Sequence, residues 1–338
     1  MPKTLEVGKE EKSQNSLPII AITMATSRQG RSLVSKIAKS GQFSVRAITR
    51  NPKSRAAMIL GTLPNVEVVK GDLLDSESLN TCFEDAYGIF GNTTPTKAWG
   101  MDLSYEKVQG VNLIKTVEKQ FEEGKLEHFV FSSICKSSVP NGNKNAPGHF
   151  SNKWQIEDHI SQREISKITT VLRPASYYEN FLNDLPGTKI TETVFPGVIN
   201  RSSIWQTLSV EDIGEWGYAA FRKPTKFIGK SLNLASEQMN GMQMAEVVQN
   251  LRGSRAKKIK YKMIPRFLLN LIEKDIGVMA DWIEQTGYGA DIEYLNKLAK
   301  EVDVKMTSFS SWLKTNDPVY KSAKRNFSIY RSKCQLNT

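Results

Sequence analysis

The sequence predicts an α/β fold: a doubly wound parallel sheet joined to a smaller α+β C-terminal lobe. Three observations predict it. Short apolar runs alternate with helix-period segments through the first half of the chain, joined by short connections, as repeated strand–helix–strand units require. The first of them, 17–23, is a short apolar run of the kind a buried strand shows, and repeated units of this sort give a parallel sheet covered on both faces. The chain has 338 residues, 39% hydrophobic and 24% charged, enough for one large domain or two intimate ones around a real core.

The first strand spans 17–23. Residues 30–40 follow as a helix, with Leu33, Val34, Ile37 and Ala38 at helical spacing and Gly41 closing it. A second strand covers 44–49, and Pro52 opens a helix that runs to Leu60. Strand three is 66–69, helix three 76–83 and strand four 86–90. A long helix, 104–121, leads to strand five at 128–132, a helix at 151–161 and strand six at 169–172. Crossovers between such parallel strands are right-handed.

The second half is less regular. Residues 174–201 carry Pro186, Gly187, Pro196 and Gly197 and read as loop. Ser209 is a helix N-cap, with Glu211 and Asp212 in the first turn. A strand follows at 231–235 and a helix at 244–251. Residues 258–263 alternate strictly, placing Lys258, Lys260 and Lys262 on one strand face. Helical stretches surround 267–274, 291–302 and 309–313. The expected organisation is a disordered leader (1–16), a nucleotide-binding domain (17–185, with 201–235 returning to the sheet), a smaller substrate or partner lobe (186–200 and 236–315) and a basic tail (316–338).

The net charge of +11 raises the question of nucleic acid, but two acid-free patches account for it. Residues 252–266 hold seven Lys/Arg and 321–333 hold five, together exceeding the whole net charge. The body is therefore neutral, and no direct nucleic-acid contact is expected. The three strand lysines read as protection of a sheet edge, with contact to an acidic protein or nucleic acid as the competing reading. The tail reads as solvated chain, with 321–325 as a weak nuclear-localisation alternative. Three scattered cysteines, Cys82, Cys135 and Cys334, form no CxxC and no even set, so neither a disulfide framework nor a metal site is expected. No apolar run suits a membrane span and no signal peptide opens the chain, so a cytoplasmic protein is expected.

In a doubly wound sheet the ligand sits at the carboxyl ends of the strands, above the first β-turn-helix. Here that turn is 24–30. A dinucleotide loop uses glycines for the tight turn, for close approach of the pyrophosphate and for packing of helix on strand. In a GxxGxxG spacing only Gly30 remains; Met24 and Ser27 occupy the other places. The helix start still offers its dipole, flanked by Arg28 and Arg31. The end of the second strand decides which dinucleotide: an acid there suits the 2′-OH of NAD, an arginine the 2′-phosphate of NADP. This chain has Arg50, Asn51, Pro52 and Lys53, then Arg55, with no acid, so NADP is expected.

Several stretches, in order, resemble the NmrA-like family of atypical short-chain dehydrogenase/reductases. They are 25–30, against the family's A-T-G-x-Q-G; 45–52; 71–75; 131–133; 149–153; and the distinctive 172–181, LRPASYYENF. The similarity runs from about Pro18 to Leu313. It implies a Rossmann-type NADP(H) site. Thr26, Ser27, Arg28, Gln29 and Gly30 would lie along the pyrophosphate, Arg50 at the 2′-phosphate with Lys53 nearby, and Asp72 and Leu73 beside the adenine. Asn92, Thr93 and Thr94 would follow strand four, Lys153 would reach the nicotinamide ribose, and Tyr177, Tyr178, Glu179 and Asn180 would close over the nicotinamide end. It further implies a redox-sensing regulator of transcription or metabolism, in fungal members one that acts on GATA-type transcription factors. A protein partner, a monomer or homodimer, and a nuclear as well as cytoplasmic location go with that reading.

A short-chain reductase protonates its substrate with the tyrosine of Tyr-x-x-x-Lys. Lys153 is present, but His149 stands where the tyrosine belongs. Either His149 or Lys153 supplies the proton, as imidazole does near neutral pH, or the site binds cofactor without turnover. The alternative to a regulator is thus an NADPH-dependent oxidoreductase acting on a quinone or small carbonyl; a cofactor-free interaction scaffold is a third. Cys135 reads as an accessible loop cysteine or a redox-sensing thiol, and Cys82 as core.

Overall fold

A computed structural model describes residues 17–94, 96–97, 100–137, 144–182, 189–272 and 274–322. The leader 1–16, Pro186, Gly187, Cys334 and the tail beyond residue 322 lie outside the described residues. The Rossmann-type half runs β1 (Ile19–Ile22), α1 (Arg28–Ser40), β2 (Ser44–Thr49), α2 (Arg55–Leu60), β3 (Val66–Lys70), α3 (Ser76–Phe83) and β4 (Ala86–Asn92). A short antiparallel pair, β5 (Thr96–Lys97) and β6 (Gly100–Met101), precedes α4 (Leu103–Glu122), β7 (His128–Ser132), α5 (Gly148–Ser161) and β8 (Thr169–Pro174). Then come β9 (Ser176–Tyr177), β10 (Val194–Gly197), β11 (Ile204–Leu208), α6 (Val210–Arg222), α7 (Pro224–Phe227), β12 (Ser231–Leu234) and β13 (Glu237–Asn240). The chain closes with α8 (Gly241–Arg252), β14 (Lys260–Met263), α9 (Arg266–Ile272), α10 (Lys274–Gln285), α11 (Ile292–Val302) and α12 (Phe309–Asn316).

Seven strands form one parallel sheet in the order β12-β8-β7-β4-β1-β2-β3. The order reverses between β1 and β4, which opens a crevice at their carboxyl ends. Apolar stripes cover both faces. Leu33, Val34 and Ile37 of α1 and Ile213 and Trp216 of α6 pack in one cluster; Leu79 and Phe83 of α3, Leu113 and Val117 of α4 and Ile156 of α5 pack in the other. The predicted doubly wound sheet is present, and 231–234 returns to it as its edge.

Boundaries shift where a cap decides them. α1 starts at Arg28, ahead of Gly30, because the Ser27 hydroxyl accepts the Gly30 N–H; Gly41, at φ 65°, ends it as predicted. α5 starts at Gly148, ahead of residue 151, because the Asp275 carboxylate accepts the N–H groups of Gly148 and His149. The segment read as loop, 174–201, contains β9 and β10, and α10 was not predicted at all. β10 pairs in parallel with β14, whose Lys260 and Lys262 are exposed. The expected tail also starts too early: Asp317 is buried against Arg252, with Nε–Oδ2 at 2.7 Å and Nη2–Oδ1 at 2.9 Å, and 318–322 are helical. Among the described residues no helix is long and apolar enough to cross a membrane.

Candidate functional site

The crevice between β1 and β4 widens into a cavity of about 200 Å³ at the ends of β1, β2 and β3. Of the residues predicted to hold a dinucleotide, Thr26, Ser27, Arg50, Asp72, Leu73 and Thr94 line it. Thr23, Met24, Ile48, Tyr105 and Gln109 line it as well. Met24 was noted from the sequence as a replaced glycine; Tyr105 and Gln109 were not singled out, because α4 gives no motif of its own.

The first turn builds one wall. Met24 adopts φ 49° at the place of the first glycine, so the chain makes the tight turn with a side chain in the left-handed region. Ser27, at the second, caps α1. Gly30 keeps the third role: a Cβ there would sit 2.3 Å from the Met24 carbonyl oxygen and 2.7 Å from Ala25 Cα, so only glycine lets the helix approach the turn.

α4 holds the rest of the cavity together. Tyr105 Oη accepts from Arg50 Nη1 at 2.9 Å. The Gln109 carboxamide bonds both the N–H and the carbonyl of Thr94, at 3.1 and 3.2 Å. Asn112 Nδ2 donates to the Leu73 carbonyl at 2.9 Å. Glu106, fully buried, pairs with Lys153 Nζ at 3.3 Å and accepts from the Thr93 hydroxyl at 2.9 Å.

Lys153 is thereby fixed below the end of β4. Its ammonium donates to Asn92 Oδ1 (3.1 Å), the Thr93 carbonyl (2.6 Å) and Thr93 Oγ1 (2.9 Å). Burial lowers its pKa; the Glu106 carboxylate opposes that shift without reversing it. Asn92 and Thr93 thus hold the lysine, and both are buried.

Beside them a second polar chain crosses the sheet edge. Ser132 Oγ donates to Gln29 Oε1 at 2.6 Å, and Gln29 Nε2 donates to Tyr177 Oη at 2.8 Å. The Gln29 side chain therefore joins β7 to β9. Burial, then the charge of Glu179, raises the Tyr177 phenol well above its ordinary range. Ser133 Oγ is buried without a hydrogen-bond partner among the described residues.

Other predicted site residues lie elsewhere. Tyr178 is fully buried against Phe309 and Trp312, with its hydroxyl on Glu237 Oε2 at 3.2 Å. Glu179 caps α6, accepting from Ser209 Oγ (2.9 Å) and Val210 N (3.0 Å), and also holds Trp312 Nε1. Neither lines the cavity; their apolar and capping partners draw them under α12. Asn180 follows in the same 3-10 turn, half-buried. Arg28 lines a separate groove between α1 and α6, and Lys53 is exposed ahead of α2. His149, ahead of the predicted helix start at 151, sits in the first turn of α5, with Nδ1 hydrogen-bonded to Asp275 Oδ2. Burial works to raise Asp275, but the hydrogen bond and charge of His149 and the two amides outweigh it and hold the carboxyl below its usual range. Cys135 is buried with its thiol on the Arg173 carbonyl at 2.8 Å, and burial raises its pKa; this corrects the accessible and redox-sensing readings alike. Cys82 is core, as expected. Among the described residues no group of three His, Cys, Asp or Glu is placed to hold a metal.

Sheet order, crevice and first turn define a Rossmann-type fold. The profile of the NmrA-like family matches residues 18–317, and the chain belongs to that family. An NmrA-like family domain-containing oxidoreductase of Aspergillus flavus is 26% identical over 314 residues, covering 82% of this chain and 91% of the relative. An NmrA-like family domain-containing protein of Dictyostelium discoideum is 25% identical, covering 86% and 94%. Among solved structures, the negative transcriptional regulator NmrA superposes with a TM-score of 0.69 at 20% identity, covering 92% of this chain and 98% of that one; NmrA has also been solved with NAD and with NADP. The NADPH-dependent quinone oxidoreductase QOR2 of Escherichia coli superposes with a TM-score of 0.65 at 20% identity, covering 88% and 98%.

Proposed function

We propose that this chain binds NADP(H) across the carboxyl edge of its sheet and acts as a redox-linked regulator, through contact with a protein partner. One observation carries the dinucleotide reading: Thr26 and Ser27 from the first turn, Arg50 from β2 and Asp72 and Leu73 from β3 line one cavity at the switch point of the sheet. Arg50 would meet the 2′-phosphate, Leu73 would flank the adenine, and the start of α1 would face the pyrophosphate. The bound nicotinamide would supply hydride chemistry; the chain's own residues determine whether a substrate joins it.

The regulator reading rests on what the two candidate acids are doing. Lys153 is held by three oxygens of Asn92 and Thr93 and paired with Glu106, while His149 is engaged by Asp275. A second reading, an NADPH-dependent oxidoreductase of a quinone or small carbonyl, is favoured by the Ser132–Gln29–Tyr177 chain, which brings a phenol to the sheet edge, and by the oxidoreductase names of relatives such as the Aspergillus flavus protein.

Calorimetric titration with NADP⁺, NADPH, NAD⁺ and NADH at fixed salt tests the dinucleotide reading. The expected result is micromolar binding of the phosphorylated forms, lost in Arg50→Ala. Binding without NADPH oxidation in the presence of quinones supports the regulator. Oxidation abolished by Tyr177→Phe or Lys153→Ala would establish the oxidoreductase, and no binding of any form would leave the scaffold.

A further inference from the structure

Arg50, which lines the cavity, and Lys153, which is buried beside it at the end of β4, are held in opposite ways. Lys153 is held by a carboxylate, so much of its charge is already answered within the protein. Arg50 is held by a phenol. Its Nη1 donates to Tyr105 Oη at 2.9 Å, and no carboxylate among the described residues forms a salt bridge with it. A guanidinium has five N–H donors in a rigid fork. A neutral hydroxyl that takes one of them fixes the direction of the fork and leaves its charge and its other donors for a ligand.

We propose that Tyr105 is a positioning residue that sets the preference for a 2′-phosphorylated adenosine, by fixing the Arg50 guanidinium from across the cavity. The inference rests on the dinucleotide reading above and deepens it: the ligand class is NADP(H) or another adenosine 2′-phosphate, and the residue that tunes its selection lies on α4. Arg50 is exposed and Tyr105 half-buried. Left alone, an exposed arginine samples many rotamers and loses that freedom on binding phosphate. Tyr105 is half-buried and its main chain is fixed. It lies in the first turn of α4, where the Asp102 carboxylate accepts its backbone N–H at 3.2 Å, and four residues on Gln109 anchors the same helix to Thr94. Arg50 is therefore pre-oriented by a rigid element, and the cost of ordering it falls on folding rather than on binding. The ring of Tyr105 also lines the cavity, but only its hydroxyl distinguishes phosphorylated from unphosphorylated ligand.

The test is calorimetry of NADP⁺, NAD⁺ and 2′,5′-ADP on the wild-type chain, Tyr105→Phe, Arg50→Ala and the double variant, with thermal melts to confirm folding. Tyr105→Phe is expected to weaken NADP⁺ and 2′,5′-ADP about tenfold, the scale of one hydrogen bond to a charged group, and NAD⁺ by no more than about twofold. In the Arg50→Ala background the same change is expected to add nothing, since its route to the phosphate is gone. Arg50→Lys, which keeps a charge but not the fork, is expected to lose most of the preference. Equal losses for NADP⁺ and NAD⁺, an unchanged preference in Tyr105→Phe, or an undiminished effect without Arg50 would each overturn the inference while leaving dinucleotide binding intact. If no nucleotide binds the wild-type chain, the dinucleotide reading falls and takes this inference with it.

Discussion

Lys153 and Glu106 form an ion pair at 3.3 Å in which both side chains are buried, the carboxylate completely. Burying two charges is costly, and their attraction offsets that cost only while both are present and hydrogen-bonded. Here Thr93 bonds both partners. Glu106→Gln is expected to lower stability by about 3–5 kcal/mol, because an ammonium is left without its counter-charge. The double change Glu106→Gln with Lys153→Met is expected to lose less than Glu106→Gln alone. Urea unfolding at neutral pH measures both; a double variant weaker than the single would refute the account.

Asp275 ties α10 to the first turn of α5 through His149 and two amides. Its carboxyl is held below the usual range, so its stabilising contribution is full above the unfolded value near pH 4 and is lost as pH falls through the lower folded value. Asp275→Asn is expected to cost about 1–2 kcal/mol at pH 7. The gap in melting temperature between wild type and variant should shrink at the acid end. His149→Ala is expected to leave NADP⁺ affinity unchanged within about twofold, because the imidazole is occupied in packing two helices.

Asp212 shows the opposite sign. Burial raises its carboxyl to about 7, against hydrogen bonds from Ser236, Thr307 and Ser209. A raised folded value means that its contribution is full below the unfolded value near pH 4 and is lost as pH rises through about 7. Asp212→Asn mimics the neutral acid. Relative to wild type it is expected to gain stability as pH rises from about 4 to about 7, and parallel curves across that range would contradict the assignment.

The first turn offers a separate test. Met24→Gly should relieve the left-handed backbone at φ 49° and raise stability by about 1 kcal/mol. Ser27→Gly should cost only a few tenths of a kcal/mol, since glycine is a tolerable N-cap. It also returns the Gly30 N–H to the site, so it is expected to tighten NADP⁺ binding. Weaker binding in Ser27→Gly would show that the hydroxyl itself serves the phosphate.

Where local pattern and cap chemistry agree, the chain is legible: Leu33, Val34, Ile37 and Gly41 mark α1 without any structure, and short runs rich in Val, Ile, Leu and Phe between helical segments mark the strands of the large sheet. Strands β9 and β10 were not, because Ser176–Tyr177 and Val194–Gly197 are short and draw their order from distant partners, β11 and β14. Site legibility divides the same way. Arg50, Asp72 and Thr26 follow from position after a strand. Tyr105, Glu106 and Gln109 do not, because their roles exist only once α4 lies against three strand ends. Glu179 and Tyr178 sat in the most distinctive stretch of sequence and turned out to serve α6 and α12; a recognisable segment marks shared architecture as readily as contact with a ligand.

Tyr105, Glu106, Gln109 and Asn112 lie within about two turns of one helix; Tyr105, Gln109 and Asn112 each secure a residue that lines the cavity, and Glu106 secures Lys153 beside it. The site is therefore indexed to the rotation of a single rod. One residue inserted ahead of Tyr105 with the start of α4 held in place would turn the side chains that follow it by about 100° relative to the strands. Arginine, lysine and both loops would lose their anchors together. Substitutions can adjust the cavity one contact at a time, but a change of length in this stretch has no gradual route, and the spacing of α4 from the end of β4 is under tighter constraint than any one residue on it.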